Sequence, residues 1–253
     1  MNKQEFEELK NEFALIIYNY EKFIKDNILL DYKYNARFFD LLQKVRYYEV
    51  ENGLMARSIQ AHNEGQDSVL PKILSDFEAG YKQELANADT KHRIAVKVND
   101  YNKKVAPEVT AEFEKEYVEF IKLHHPVVHA LAPKEEQDIY EKLKVYYYEN
   151  NYEGFKKAYA EAMPKFQDIE YPEDMYTKIS EYYYDIRKRI GQDFQKKQTV
   201  YPFIKKDVFT DEMSEAYEEG ELKANLSKVI ADNKKIHKDY VKTFGQDITF
   251  NVK

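Results

Sequence analysis

Apolar residues recur along most of this chain at steps of three and four, a period that favours packed helices over a sheet. Phe6, Leu9, Phe13, Ile16, Tyr20 and Phe23 form one such seam, which falls on one face of a helix. Phe38, Leu42, Val45, Tyr48, Met55 and Ile59 form a second, ending at Asn63-Glu64-Gly65-Gln66-Asp67, a run of turn formers. Breakers are scarce, with seven Gly and seven Pro among 253 residues that are rich in Lys, Glu, Tyr, Leu and Ile.

The prolines stand where helices should begin or end. Asp67-Ser68 is placed to cap a third helix, with Pro71 in its first turn and an end near Lys103. Its short link to the second helix predicts an antiparallel hairpin. Pro107 opens a fourth helix with Phe113, Tyr117 and Phe120 inward, and Pro126 stops it. Pro133 opens a fifth, with Ile139, Leu143 and Tyr146 inward, and Asn150-Asn151 breaks it before a short segment from Glu153 to Met163. After Pro164 and Pro172 a seventh helix carries Ile179, Tyr183, Ile186 and Ile190 and bends at Gly191. The last helix shows Leu222, Leu226, Val229, Ile236 and Tyr240, with the polar Asn233 at a seam position that can fix register. These two are expected to fold back on each other through Tyr201-Pro202-Phe203, leaving a loose tail from Thr243. The reading is an all-α chain of long antiparallel, coiled-coil-like hairpins flanking a small helical segment. Its regions are 1–105, 106–165 and 166–253.

Composition narrows the function. Net charge is −7 with both signs mixed and no evident basic face, so no nucleic-acid partner is expected. With no cysteine, disulfides, thiolate metal sites and thiol catalysis are excluded. MNKQEFEELKNEF lacks the apolar stretch of a signal peptide, and the run from Phe13 to Tyr18 is too short to span a bilayer. A cytoplasmic protein without a membrane partner is the expectation. In the clusters Tyr146-Tyr147-Tyr148 and Tyr182-Tyr183-Tyr184, helical geometry sends one or two rings inward and the rest to the surface.

KLHHPVVHALAPKEEQ, from Lys122 to Gln137, is the stretch with chemistry to weigh. His125 and His129 are four apart, but Pro126 lies between them and takes the place where an HExxH motif has Glu. A metal site here would need His124, His125 and His129 to converge from a turn, with no nearby acid to orient them. No G-x-S-x-G elbow, P-loop or G-x-G-x-x-G is present, and the many carboxylates read as solvated ion pairs. Neither an enzyme nor a cofactor is expected; a metal-binding protein or unrecognised enzyme using those three histidines is the alternative.

The order of these elements resembles a J domain (DnaJ-like). A helix ends in Leu123-His124-His125-Pro126, a loop runs to Pro133, and a helix follows to about Tyr148. In that family a His-Pro-Asp loop between two antiparallel helices stimulates ATP hydrolysis by Hsp70. The chain from about Tyr47 to Tyr240 is similar to a bacterial group in which a J-like segment lies between helical hairpins. The stretches that carry the likeness are EYVEFIKLHHPVVHALAP, YYYENNYEGFKKAY and the segments on either side. His125 and Pro126 match the signature, but Val127 stands in place of the aspartate, and an isopropyl group accepts no hydrogen bond. The family's preceding helix is basic, whereas Pro107 to His125 holds five acids and two lysines. The resemblance implies J-like architecture without stimulation of Hsp70. It points to a non-enzymatic interaction or scaffold protein, monomer or homodimer, with an unknown protein partner. A working co-chaperone is the other reading.

Overall fold

A computed structural model describes residues 1–167 and 169–248. They form seven α-helices: α1 (Lys3–Asn63), α2 (Leu70–Asn102), α3 (Pro107–His124), α4 (Lys134–Tyr148), α5 (Tyr152–Ala162), α6 (Tyr176–Lys197) and α7 (Glu212–Phe244). Short 3-10 turns supplement them, and no strand occurs among the described residues. The chain is all-α.

The two N-terminal seams belong to one helix of 61 residues, not two. No Gly or Pro occurs between Lys3 and Asn52, so nothing interrupts the hydrogen-bond ladder where the seam changes face. The helix ends at Gly65, whose φ of 71° is the left-handed conformation that closes a C-terminus at no steric cost. Asp67 does not cap α2; its carboxylate meets His62 Nδ1 at 2.7 Å instead, and α2 starts at Leu70 with Pro71 in its first turn.

The chain divides into two units, residues 1–31 with 98–206 and residues 32–97 with 207–253. Both therefore take segments from distant parts of the sequence.

In the first unit, α6 runs parallel to the start of α1. Phe6 stacks on Tyr176 at 4.4 Å and Phe13 on Tyr183 at 4.2 Å, with Phe23 on Phe194 further along. Helices α3, α4 and α5 complete one continuous core containing Phe113, Tyr117, Phe120, Tyr140, Tyr147 and Phe155, all fully buried. Burying one such aromatic side chain stabilises the fold by roughly 2–3 kcal/mol. Tyr147 and Tyr183 are the inward members of the two tyrosine triplets, while Tyr184 is 71% exposed.

The second unit is a bundle of α2, α7 and the rest of α1. Helix α2 returns antiparallel to α1, as the short link requires: Phe39 stacks on His92, Arg46 holds Glu84, and Tyr47 meets Tyr81. Helix α7 runs parallel to α1, with Tyr34 bonded to Glu218 and His62 beside Phe244. Asn233 donates to Glu51 at 2.7 Å and Asn52 at 2.8 Å, which ties the register of α7 to α1. The apolar sides that the sequence assigned to a hairpin of α6 and α7 are each taken up by α1, within that helix's own unit. Thr243 and Phe244 lie in α7, and of the expected loose tail residues 249–253 fall outside the described residues.

Candidate functional site

Pro126 ends α3 by forcing His125 to an extended backbone, with φ −66° and ψ 126°. The loop then runs to Pro133 and is fastened at several points. His129 N–H donates to the His125 carbonyl and Ala132 N–H to that of His129, both at 2.8 Å. The Val128 carbonyl accepts the Tyr183 hydroxyl at 2.6 Å, and Val128 itself is fully buried. Gln137 reaches back to the Ala132 carbonyl at 2.8 Å.

The three histidines point to three different partners. His124 Nε2 meets the Tyr159 hydroxyl at 2.8 Å and its ring lies on Phe166. His129 Nε2 donates to the Lys122 carbonyl at 2.8 Å, and burial pushes its pKa down to about 4, so the ring is neutral. His125 is 7% exposed; its Nδ1 accepts the Val127 N–H at 3.0 Å. Its Nε2 faces Glu21 Oε1 at 3.4 Å. Among the described residues no three His, Asp or Glu side chains converge as a metal site requires. Val127 is half-buried against the core.

Glu21 opens a buried polar network that spacing alone did not reveal. Its Oε2 accepts the Tyr117 hydroxyl at 2.7 Å and that of Tyr140 at 2.9 Å, with Lys144 at 3.9 Å from Oε1. One turn along α1, Lys25 lies 2.7 Å from Glu114, which also accepts the hydroxyls of Tyr18 and Tyr147 at 2.6 Å each. Tyr117 and Tyr147 stack at 3.6 Å and so join the two carboxylates. Burial pushes the Glu21 carboxyl up, but His125, Lys144 and Tyr117 outweigh it and hold it below the ordinary range. Glu114 is likewise held down, by Lys25, Tyr147 and Tyr18, against its burial. Ionised acids thus face neutral phenols.

The signal for this network was present in the apolar seam. Glu21 and Lys25 follow Phe13 and Ile17 at successive steps of four, on the face that packs inward, where charge is expensive unless paired. Sequence spacing reads the acids of α1 and α3 as solvated ion pairs; here Glu21 is buried and Glu114 partly so.

Both nitrogens of His125 are engaged, and the Glu21 and Glu114 oxygens are held by protein donors. An open groove of about 310 Å³ does lie between α4 and α5, lined by Ile139, Lys142, Tyr146, Ala158 and Lys165. Tyr146 closes its end by lying on Gly154, where a Cβ would stand 2.7 Å from the ring. Among the described residues no helix is long and apolar enough to cross a membrane. Compared with known proteins, the chain matches no family model, no curated protein and no solved structure.

Proposed function

We propose that this chain is a non-enzymatic helical interaction protein, a scaffold in which the J-like turn packs its own core instead of contacting Hsp70. The observation that carries the reading is the state of His125. A turn that engages another protein must offer its side chains to that protein, yet this imidazole is 7% exposed, with Val127 N–H on one nitrogen and Glu21 opposite the other. Val127 in the aspartate position and the acids of α3 support the same reading, since an acidic partner would be repelled.

A steady-state ATPase assay with Hsp70 tests it. Wild type is expected to leave turnover at its basal rate. Val127→Asp is expected to do the same, because His125 stays tied to Glu21 and α3 keeps its charge. Several-fold stimulation by wild type would overturn the proposal, and full activation by Val127→Asp would show that the buried histidine and the charge of α3 matter less than the missing carboxylate.

A further inference from the structure

Net charge is an average, and one stretch of this chain departs from it. The whole sequence stands at −7, but residues 187 to 206 hold seven Lys or Arg and a single acid, Asp193. Arg187, Lys188 and Arg189 form one group on α6, and Lys196 and Lys197 a second in its last turn. Lys205 and Lys206 form a third in the 3-10 turn that follows. All of them belong to the first unit.

This charge is exposed and uncompensated. Arg187, Lys188, Arg189, Lys196 and Lys206 lie at the surface, and among the described residues none of them makes an ion pair. Asp193 is occupied: it accepts the Tyr20 hydroxyl and has Lys197 at 3.7 Å. The neighbouring helix adds no free acid. Phe13 stacks on Tyr183 and Phe23 packs on Phe194, so the stretch of α1 alongside runs from Phe13 to Phe23, and from Phe13 to Tyr20 it is uncharged. Glu21 is turned into the core, and Asp31 accepts the Tyr201 hydroxyl at 2.6 Å. Glu181 and Asp185 precede the patch on α6 and mark where it stops. The helix dipole favours cations in a last turn, which covers Lys196 and Lys197. It gives no reason for Arg187, Lys188 and Arg189, two turns earlier, nor for Lys206, beyond the helix end.

Apolar side chains stand in the same stretch. Just past the end of α6, Val200 is 51% and Ile204 57% exposed, and the Ile204 N–H donates to the Val200 carbonyl at 3.3 Å, which sets them one turn apart. Lys196 comes four residues before Val200, and Lys206 two after Ile204, with its ammonium over the Phe203 ring at 4.9 Å. Phe203 in turn packs on Phe23 of α1, which anchors this end of the patch.

We propose that residues 187–206 form a docking surface for an anionic phospholipid bilayer. Cations that no acid of the chain satisfies attract the phosphates and carboxylates of the headgroups, and their stems can lie along the interface while the charged ends stay wet. Val200 and Ile204 enter the boundary between headgroups and acyl chains, where an aliphatic side chain is stabilised. That pair decides between anionic partners. The same cations would attract a nucleic acid, but single strands are held by stacking on free rings. Here Tyr201 has its hydroxyl tied to Asp31, and Tyr184, an open ring one turn before Arg187, is flanked by Glu181 and Asp185. The contact is peripheral and requires no helix to cross the bilayer. The surface uses no residue of the His125 loop, so it stands or falls separately from the ATPase result.

Flotation of the full chain with vesicles tests this. At about 0.1 M salt the protein should rise with phosphatidylcholine vesicles that contain about a third phosphatidylserine, and stay behind with phosphatidylcholine alone. Salt at about 1 M should release it. Arg187→Glu/Lys188→Glu/Arg189→Glu should weaken binding by about a hundredfold or more, since each cation near such a surface contributes about fivefold in affinity. Lys234→Glu/Lys238→Glu/Lys242→Glu on α7 changes net charge equally and should weaken it by no more than about threefold. Val200→Ser/Ile204→Ser should weaken it by about tenfold and leave the salt dependence in place. Circular dichroism checks that the variants stay helical. Failure of the wild type to rise with anionic vesicles, or an equal rise with neutral ones, would overturn the proposal. So would an equal loss from the α7 reversals, or an unchanged affinity without Val200 and Ile204. Tight binding to single-stranded or duplex DNA in fluorescence anisotropy, with no response to vesicles, would overturn it too and assign the patch to nucleic acid.

Discussion

The two units of this protein are built from the same helix type on opposite economies of polarity. The first gathers one large aromatic core and places charge inside it: Glu21, 4% exposed, and Lys25, 2% exposed, sit among tyrosines that use their hydroxyls as internal donors. The second buries few large side chains, in small clusters around Tyr34 with Phe38 and around Val50 with Tyr81. Apart from the buried bond of Tyr34 to Glu218, its cross-helix ion pairs lie nearer water: Arg37 with Glu215 and Glu219, and Arg46 with Glu84. An interior ion pair costs dehydration and repays it only with complete hydrogen bonding, so removal of one partner is severe. A surface pair gains little and costs little. The difference predicts where the fold is intolerant and where it is free to evolve contacts.

Removing Glu21 gives the largest effect. Glu21→Ala takes the acceptor from Tyr117 and Tyr140 and leaves His125 without its carboxylate. The expected loss is about 3–5 kcal/mol. Hydrogen exchange read by mass spectrometry locates it: peptides of α3 and α4 should lose protection, while those of α2 keep theirs. Equal loss in both units would mean they unfold as one, and the contrast drawn here would have no thermodynamic content.

The next effect is a pH dependence confined to the first unit. His129 is held neutral in the fold with a pKa of about 4, by burial above all. Its unfolded pKa is about 6.5, so between those values the unfolded chain binds a proton that the folded chain excludes. Stability contributed by the neutral ring is complete above about pH 6.5 and is lost as pH falls towards 4, to a total on the order of 3 kcal/mol. Urea midpoints at neutral pH and near pH 5 should separate for wild type and converge for His129→Gln. If both proteins show the same slope, another group dominates in that window.

The all-α class, the α1–α2 hairpin and the breaks at Pro107, Pro126, Pro133 and Asn150 were legible because they depend on local rules. Asn150, for instance, adopts a φ of 57°, a turn that Asn tolerates and helix interiors do not. Pairing of helices was less so. The parallel arrangement of α6 and α7 on α1 depends on one uninterrupted helix offering both partners a face, and a seam records which side is apolar without naming what covers it. The His125 loop stood out through its residues, but its closure did not, because Glu21 is more than a hundred positions away. The buried carboxylates were hidden for a similar reason: charge at a seam position is legible, whereas the tyrosine donors that make it tolerable come, for each acid, from two other helices.

The smallest effect tests the second unit on its own terms. Arg46 meets Glu84 with two hydrogen bonds of 2.8 Å each, the best-formed surface pair in the bundle, yet both side chains are about half exposed, at 47% and 51%. Water competes for every donor in the pair, and ordering two long side chains costs entropy, so Arg46→Ala should change stability by less than about 1 kcal/mol. Glu84→Ala should do likewise. The double variant should lose no more than the sum of the two, with a coupling of a few tenths of a kcal/mol for a two-pronged contact in solvent. Helix α1 remains covered there by Tyr81 and Phe77, which pack with Val50 and Tyr47 whatever Arg46 becomes. A coupling above about 2 kcal/mol would exceed what solvent-exposed pairs supply. It would show that the second unit is held by charge as firmly as the first, and that exposure is the wrong measure of the difference between them.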